Sequence, residues 1–242
     1  MKTATSKPSA ENLTRALLVC GVIAGPLYII VALLQALTRE GFDITRHDVS
    51  LLSNGDMGGI QITNFLVTGL LVIAGAIGMR RKLRSSRGRD WGPILVGVYG
   101  LGLIGAGIFV ADPSLGFPPG TPADVATISW HGMLHFICGA VGFLALIAAC
   151  FVFARRFAVL GQRGWAVYSV ATGVLFFAAF FGVASGQSQS WSVIGFWIGV
   201  VLIWAWISSI SVRLMAGLPD PGGNQAPSQE SHIQSLDSGV EG

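Results

Sequence analysis

Six long apolar stretches alternate with short polar connections along the 242-residue chain. They cover residues 16–37, 60–79, 91–110, 128–153, 165–184 and 191–215. At about 1.5 Å per residue, each stretch is long enough to cross the roughly 30 Å hydrocarbon core of a bilayer as a helix. Backbone amides in hydrocarbon must pair within the segment, which favours helices. The pattern therefore predicts an all-α fold, a polytopic integral membrane bundle of six transmembrane helices.

Composition agrees with this pattern and sets the limits of the membrane part. The chain is 52% hydrophobic and 11% charged, which is too few charges to cover a soluble fold of this size. We predict a cytoplasmic N-terminal segment (1–15), a membrane domain (16–215) and a disordered cytoplasmic tail (216–242). The tail is rich in Pro, Gly, Ser and Gln and cannot bury enough apolar area to order itself. The first apolar run exceeds the core of a cleaved signal peptide, so we expect it to be retained.

The placement of basic residues predicts an orientation in the cell membrane. All but two of the 15 Lys and Arg residues lie in the N-terminal segment, the second and fourth connections, or the end of the last helix. The exceptions are Arg39 and Arg46. The positive-inside rule then puts both termini in the cytoplasm. The basic run at 80–90 fits a cytoplasmic loop better than a nucleic-acid patch, so the expected partner is the lipid bilayer and not a nucleic acid. A homo-oligomer is left open.

Glycines and amides indicate how the helices pack. The third helix carries glycines at 97, 100, 102, 105 and 107, which predicts close packing on more than one side. Gln61 and Asn64 open the second helix. We expect their side chains to hydrogen-bond to the preceding loop or to the fourth helix.

Histidines and aspartates gather at the predicted outer side. His131 and His135 are four residues apart, so they share one face of the fourth helix. His47 lies in the first outer loop, and Asp112 follows the third helix. A metal site made of His47, His131, His135 and Asp112 is one interpretation, with zinc as its ion. Histidines that only form hydrogen bonds are the other; haem is disfavoured because its two axial ligands approach from opposite faces of the ring.

Asp112 raises a second question. A carboxylate at the end of a helix opposes the helix dipole, so we expect compensation from Arg46, a protonated His131 or a metal, unless Asp112 only initiates a turn. In a metal site Asp112 is the candidate catalytic base. Nearby serines, at 50, 53 and 129, lie outside any GxSxG elbow, so none is predicted to be a nucleophile.

Several short motifs resemble an uncharacterised prokaryotic membrane family known as domain of unknown function 998. They are HisAspValSerLeuLeuSer (47–53), AsnPheLeuValThrGlyLeuLeu (64–71), IlePheValAlaAspPro (108–113) and HisGlyMetLeuHis (131–135). The resemblance spans about residues 13–215. It implies a six-helix membrane protein and no established activity.

A looser similarity exists to the membrane hydrolases that include alkaline ceramidases and adiponectin receptors, which use three His, an Asp and a Ser around zinc. This chain departs from them in the number of spans, the position of HxxxH and the order of the motifs. The sequence therefore predicts a multi-pass membrane protein of unknown activity. The alternatives are a metal-dependent hydrolase at the outer leaflet, a scaffold or sensor, and a small-solute transporter. The last lacks charged residues deep in the spans.

Overall fold

A computed structural model describes residues 7–83, 91–123, 128–185 and 189–217. Within them lie six helices that are long and apolar enough to cross a membrane. These are α1 (Lys7–Thr38), α2 (Gly58–Leu83), α3 (Trp91–Ile108), α4 (Trp130–Val159), α5 (Arg163–Ala184) and α6 (Ser190–Met215). The all-α, six-helix prediction is confirmed. Helix α1 also includes residues 7–15 of the predicted N-terminal segment, whereas residues 218–242 of the predicted tail lie outside the described residues.

The helices form a closed ring in chain order. Each helix packs against the next, and α6 returns to pack against α1. Glycines let the backbones approach: a Cβ atom on Gly75 of α2 would lie 2.8 Å from the Cα atom of Gly21 on α1. Helix α3 packs through glycine on both sides, with Gly100 against Gly69 of α2 and Gly102 against Gly142 of α4. Small residues thus hold together helices that gain little from burial in lipid.

Helix α6 carries much of the buried core. Its most buried large side chains are Ile203, Trp204, Trp206, Ile207 and Ile210. Besides its two ring neighbours, α6 also contacts α2. Many apolar side chains on the other helices are exposed, as expected for helices that face lipid.

A buried amide cluster joins α1 to α2. Gln35 Nε2 donates to Gln61 Oε1 at 2.9 Å, and Asn64 Nδ2 donates to the same oxygen at 3.3 Å and to the Tyr28 carbonyl at 3.2 Å. The expectation that Gln61 and Asn64 bond to the preceding loop or to α4 is therefore wrong. Their partners lie on α1, because the first turns of α2 pack directly on the last turns of α1.

One end of the bundle carries the α1–α2, α3–α4 and α5–α6 connections, and we call it the loop end. In the first connection a short 3₁₀ helix, Val49–Ser53, packs against α1 and α2. Arg39 holds it by donating from Nη1 to the Leu52 carbonyl and from Nη2 to the Asn54 carbonyl. The guanidinium also lies 4.8 Å from the ring centroid of Phe117, in the α3–α4 connection.

Candidate functional site

A cavity of about 360 Å³ extends from the loop end into the bundle. Near the middle of the helices its lining comes from α1, α3, α4 and α6. Helices α2 and α5 contribute residues closer to the loop end. This volume is at the lower end of the range for small-molecule sites in proteins. The cavity has two chemically different ends.

The polar end lies among the connections. Asp48, Ser50, Ser114 and His135 line it. The backbone N–H and the hydroxyl of Ser50 both donate to Asp48 Oδ1, so this carboxylate caps the 3₁₀ helix. His135 Nδ1 lies 2.8 Å from the Phe109 carbonyl and 3.0 Å from the Ala106 carbonyl. Because carbonyls only accept, Nδ1 carries the proton, and Nε2 of the neutral ring is left as an acceptor.

The buried end is aromatic. Trp204 lies about halfway along α6, with its ring stacked on Tyr28 at 4.7 Å between centroids and edge-on to Tyr99 at 5.5 Å. Phe143 and Phe196 continue this wall, with centroids 5.8 Å apart. This wall is therefore mainly apolar. Among these five side chains, only the Tyr hydroxyls and the Trp N–H are polar.

His47 does not reach the other histidines through its ring. It is buried, its Nδ1 accepts from the Asp43 backbone N–H at 2.9 Å, and its Nε2 lies 3.1 Å from the Leu115 carbonyl. Its own carbonyl accepts from Trp197 Nε1 at 3.0 Å. Both ring nitrogens are thus engaged, and His47 ties the first connection to the α3–α4 connection and to α6.

His131 and His135 bond to the end of α3 instead. His131 Nδ1 lies 2.9 Å from the Val110 carbonyl, and His135 Nδ1 serves Ala106 and Phe109. These carbonyls lie at and just beyond the last turn of α3, where the helix itself supplies no donors. The four-residue spacing places one imidazole above the other along α3, so the pair caps that helix.

Asp112, which follows α3, in turn caps the N-terminus of α4. Ser129 donates from its backbone N–H to Oδ2 at 2.8 Å and from its hydroxyl to Oδ1 at 2.6 Å. Ser129 is the N-cap of α4, and the Gly132 N–H donates to its hydroxyl at 3.1 Å. The carboxylate therefore sits at the favourable N-terminal end of the α4 dipole. Of the expected compensating groups, His131 lies near, with its Nδ1 3.8 Å from Asp112 Oδ1. The hydrogen bonds to the carboxylate come from Ser129.

The pKa of Asp112 follows from this position. Partial burial raises it, but the hydrogen bonds from Ser129, with electrostatic contributions from His131 and His135, outweigh burial, so the pKa lies below its ordinary value. A carboxylate whose folded pKa is depressed stabilises the fold above its unfolded pKa of about 4, and this stabilisation is lost as pH falls through the folded pKa.

We therefore expect the free energy of unfolding to fall between about pH 5 and pH 3 in part through Asp112. Asp112→Asn should be less stable than wild type at neutral pH and should show a smaller decline on acidification. Ser129→Ala, which removes one of the two donors, should fall between them. Unfolding in detergent at several pH values measures this, and equal pH slopes for wild type and Asp112→Asn would contradict it.

The metal interpretation gains no support from this geometry. In the described part of the chain, no group of three or more His, Cys, Asp or Glu side chains is placed to hold one metal ion. His47 has its ring nitrogens occupied, while His131 and Asp112 meet only as a pair. Metal binding and hydrolysis stay predictions from the sequence.

The cavity itself was not predicted from the sequence. Tyr28, Tyr99 and Trp204 lie on three different helices. In the sequence, each occupies an ordinary position within an apolar run. The signal in the sequence is the tryptophan content of the last helix, which carries Trp at 191, 197, 204 and 206. The capping role of Ser129 had a local signal, since a serine directly before an apolar helix is a common N-cap.

Comparison with known proteins places the chain in a family. Neither a curated protein nor a solved structure matches the sequence. A family described as "Protein of unknown function (DUF998)" matches over residues 22–213, which covers α2 to α5, about half of α1 and nearly all of α6. The chain is therefore a six-helix, multi-pass membrane protein that belongs to the DUF998 family.

Proposed function

We propose that this protein binds a small amphipathic molecule in the cavity, with the polar part of the molecule at the loop end and its apolar part against the aromatic wall. The observation that carries the proposal is the division of the cavity into these two ends. A wall of Tyr, Trp and Phe suits an apolar body, and a few convergent polar groups suit a head that must be oriented.

The polar groups limit what the head can be. Asp48 offers a carboxylate, Ser50 and Ser114 offer hydroxyls, and the His135 ring, with a proton on Nδ1, can offer an acceptor at Nε2. A neutral head with donor groups, such as an alcohol, matches this set. A carboxylate or phosphate head would face Asp48 at the mouth and be repelled by it.

The direction of access follows from the predicted orientation. If the basic connections face the cytoplasm, the loop end faces outward and the cavity receives its ligand from the outer leaflet or the outer aqueous phase. The function proposed is thus that of a receptor or carrier for a membrane-partitioning molecule. The His/Asp cluster serves as the structural frame of the cavity mouth.

Filling the cavity tests the proposal. Gly139 of α4 lines the cavity, and a Cβ atom placed on it meets nothing within 4 Å. Gly139→Leu should therefore fold and occupy part of the space. The probe is 4-benzoylbenzyl alcohol, which has an apolar body, a hydroxyl head and a photoreactive ketone. We expect saturable photolabelling of cavity residues in wild type, mapped by mass spectrometry, and at least a roughly tenfold weaker apparent affinity in Gly139→Leu.

Gly195→Leu is the matched control. Gly195 lies on α6 away from the cavity lining, and a Cβ atom there also meets nothing within 4 Å. This variant should label like wild type. Labelling that spreads evenly over lipid-facing residues, or that persists unchanged in Gly139→Leu, would contradict the proposed binding site.

A further inference from the structure

Three tryptophans in α6 are buried, and their indole N–H groups differ in hydrogen bonding. Trp197 Nε1 donates to the His47 carbonyl at 3.0 Å, and Trp206 Nε1 donates to Ser169 Oγ at 3.0 Å. Trp204 Nε1 is buried without a hydrogen-bond partner. Trp204 is also the one of the three that lines the cavity.

An unpaired indole N–H is costly, and it admits only one kind of partner. A buried donor without an acceptor loses its bond to water and gains nothing in return, at about 1–3 kcal/mol. The other unpartnered buried atoms among the described side chains belong to the amides of Gln35, Gln61, Asn64 and Gln162. Each amide has a second polar atom, whereas the indole N–H is the whole polar capacity of Trp204 and can only donate.

We infer that the molecule bound in the cavity carries a carbonyl oxygen on its buried, apolar part, and that this oxygen accepts a hydrogen bond from Trp204 Nε1. The inference rests on the proposed function and specifies its ligand. A pure hydrocarbon body would leave the N–H unpaired, and a cationic body would bring no acceptor. A carbonyl adds one acceptor to an otherwise apolar skeleton, which fits a wall of Tyr28, Tyr99 and Phe143.

A matched pair of probes tests this. 4-Benzoylbenzyl alcohol and 4-benzylbenzyl alcohol have the same rings and the same hydroxyl head; a carbonyl in the first replaces a methylene in the second. We expect wild type to bind the ketone roughly 2- to 10-fold more tightly than the methylene compound, relative to their partition into the same detergent, since this is the net value of one hydrogen bond. Trp204→Phe should lose the preference.

Trp206→Phe is the matched control. Trp206 is as deeply buried on the same helix, but its N–H already has Ser169 as acceptor, so this variant should keep the preference for the ketone. In wild type labelled with ¹⁵N-tryptophan, the ketone should shift one indole N–H resonance that is missing from Trp204→Phe. The two variants also differ in stability: Trp204→Phe should keep or raise the Tm, and Trp206→Phe should lower it.

The outcomes separate the two proposals. Saturable binding of both alcohols with equal affinity in wild type would show that Trp204 Nε1 does not donate to the ligand, and this inference would fall while the binding function stands. The same holds if Trp204→Phe keeps the full preference. If neither alcohol binds in a way that Gly139→Leu weakens, the proposed function itself fails. The wild-type affinity ratio decides the matter even if a variant does not fold.

Discussion

Replacing Gly75 with alanine is expected to lower the free energy of unfolding by about 3 kcal/mol, the upper end of the usual range for overpacking. The added Cβ atom would lie 2.8 Å from Cα and 3.0 Å from N of Gly21 on α1. Backbone atoms of a neighbouring helix cannot rotate away, so α1 and α2 must separate along their length. Denaturant titration of the purified protein in mixed micelles measures the loss.

Gly97→Ala on α3 is the control for Gly75→Ala. Its Cβ atom would meet only Ala76 Cβ at 3.8 Å, which is an ordinary van der Waals distance. Alanine is also favoured over glycine in a helix by about 1 kcal/mol, so Gly97→Ala should be neutral or stabilising. If both variants were equally stable, close approach of α1 and α2 would not be a source of stability.

The second large effect is expected at Arg39. Arg39→Met removes the guanidinium that serves the Leu52 and Asn54 carbonyls and contacts the Phe117 ring. Hydrogen bonds from a charged donor contribute about 1.5–3 kcal/mol each, but part of the loss is recovered when water reaches the carbonyls, so we expect a loss of about 2–4 kcal/mol. Burial lowers the pKa of Arg39 against the opposing effect of Asp56, so the charge is held in a partly desolvated place.

Hydrogen exchange gives the sharper readout for Arg39. The amides of Leu51 and Asn54 bond within the first connection, to the Asp48 and Leu51 carbonyls. In Arg39→Met these amides should exchange faster than in wild type, because the 3₁₀ helix loses its anchor. Arg46→Met removes a cation from the same connection at an exposed position and should leave both rates unchanged. Unchanged exchange in Arg39→Met would mean that apolar contacts alone hold the 3₁₀ helix.

The fold was predictable because hydrocarbon imposes its own pattern. Long apolar runs with short polar connections leave helices as the natural solution, and the third helix's glycines correctly indicated close packing on two sides. Helix ends were less predictable. Helix α1 includes residues 7–15, although this segment contains polar residues. A helix can continue past the apolar region because its backbone bonds are local.

The candidate site was less predictable, because His and Asp side chains can serve either as metal ligands or as helix caps. The HxxxH spacing correctly indicated two imidazoles on one face, but that spacing suits a metal and a pair of helix-capping donors equally well. What selects between them is the end of α3, whose carbonyls lie within reach of both Nδ1 atoms. A sequence does not specify which free carbonyls a distant helix will present.

The buried amides illustrate the same limit. Partners for Gln61 and Asn64 were expected in the preceding loop or on α4. These two side chains bond instead to one another and to Gln35 and Tyr28 of α1. Their choice of one another depends on the rotation of α1 against α2, which the close contact of Gly21 and Gly75 controls. Interhelical polar pairs are thus set by packing between small residues elsewhere along the same two helices.

The return of α6 to α1 has a consequence for how the protein is made. Helices are released from the ribosome in order, so α1 to α5 reach the bilayer while the ring still lacks the helix that carries Trp204. Until α6 inserts and closes against the first helix, the aromatic wall lacks Phe196 and Trp204. The cavity is therefore complete only in the last stage of biogenesis, and a ligand of the proposed kind, if present then, would favour the closed ring by binding to it.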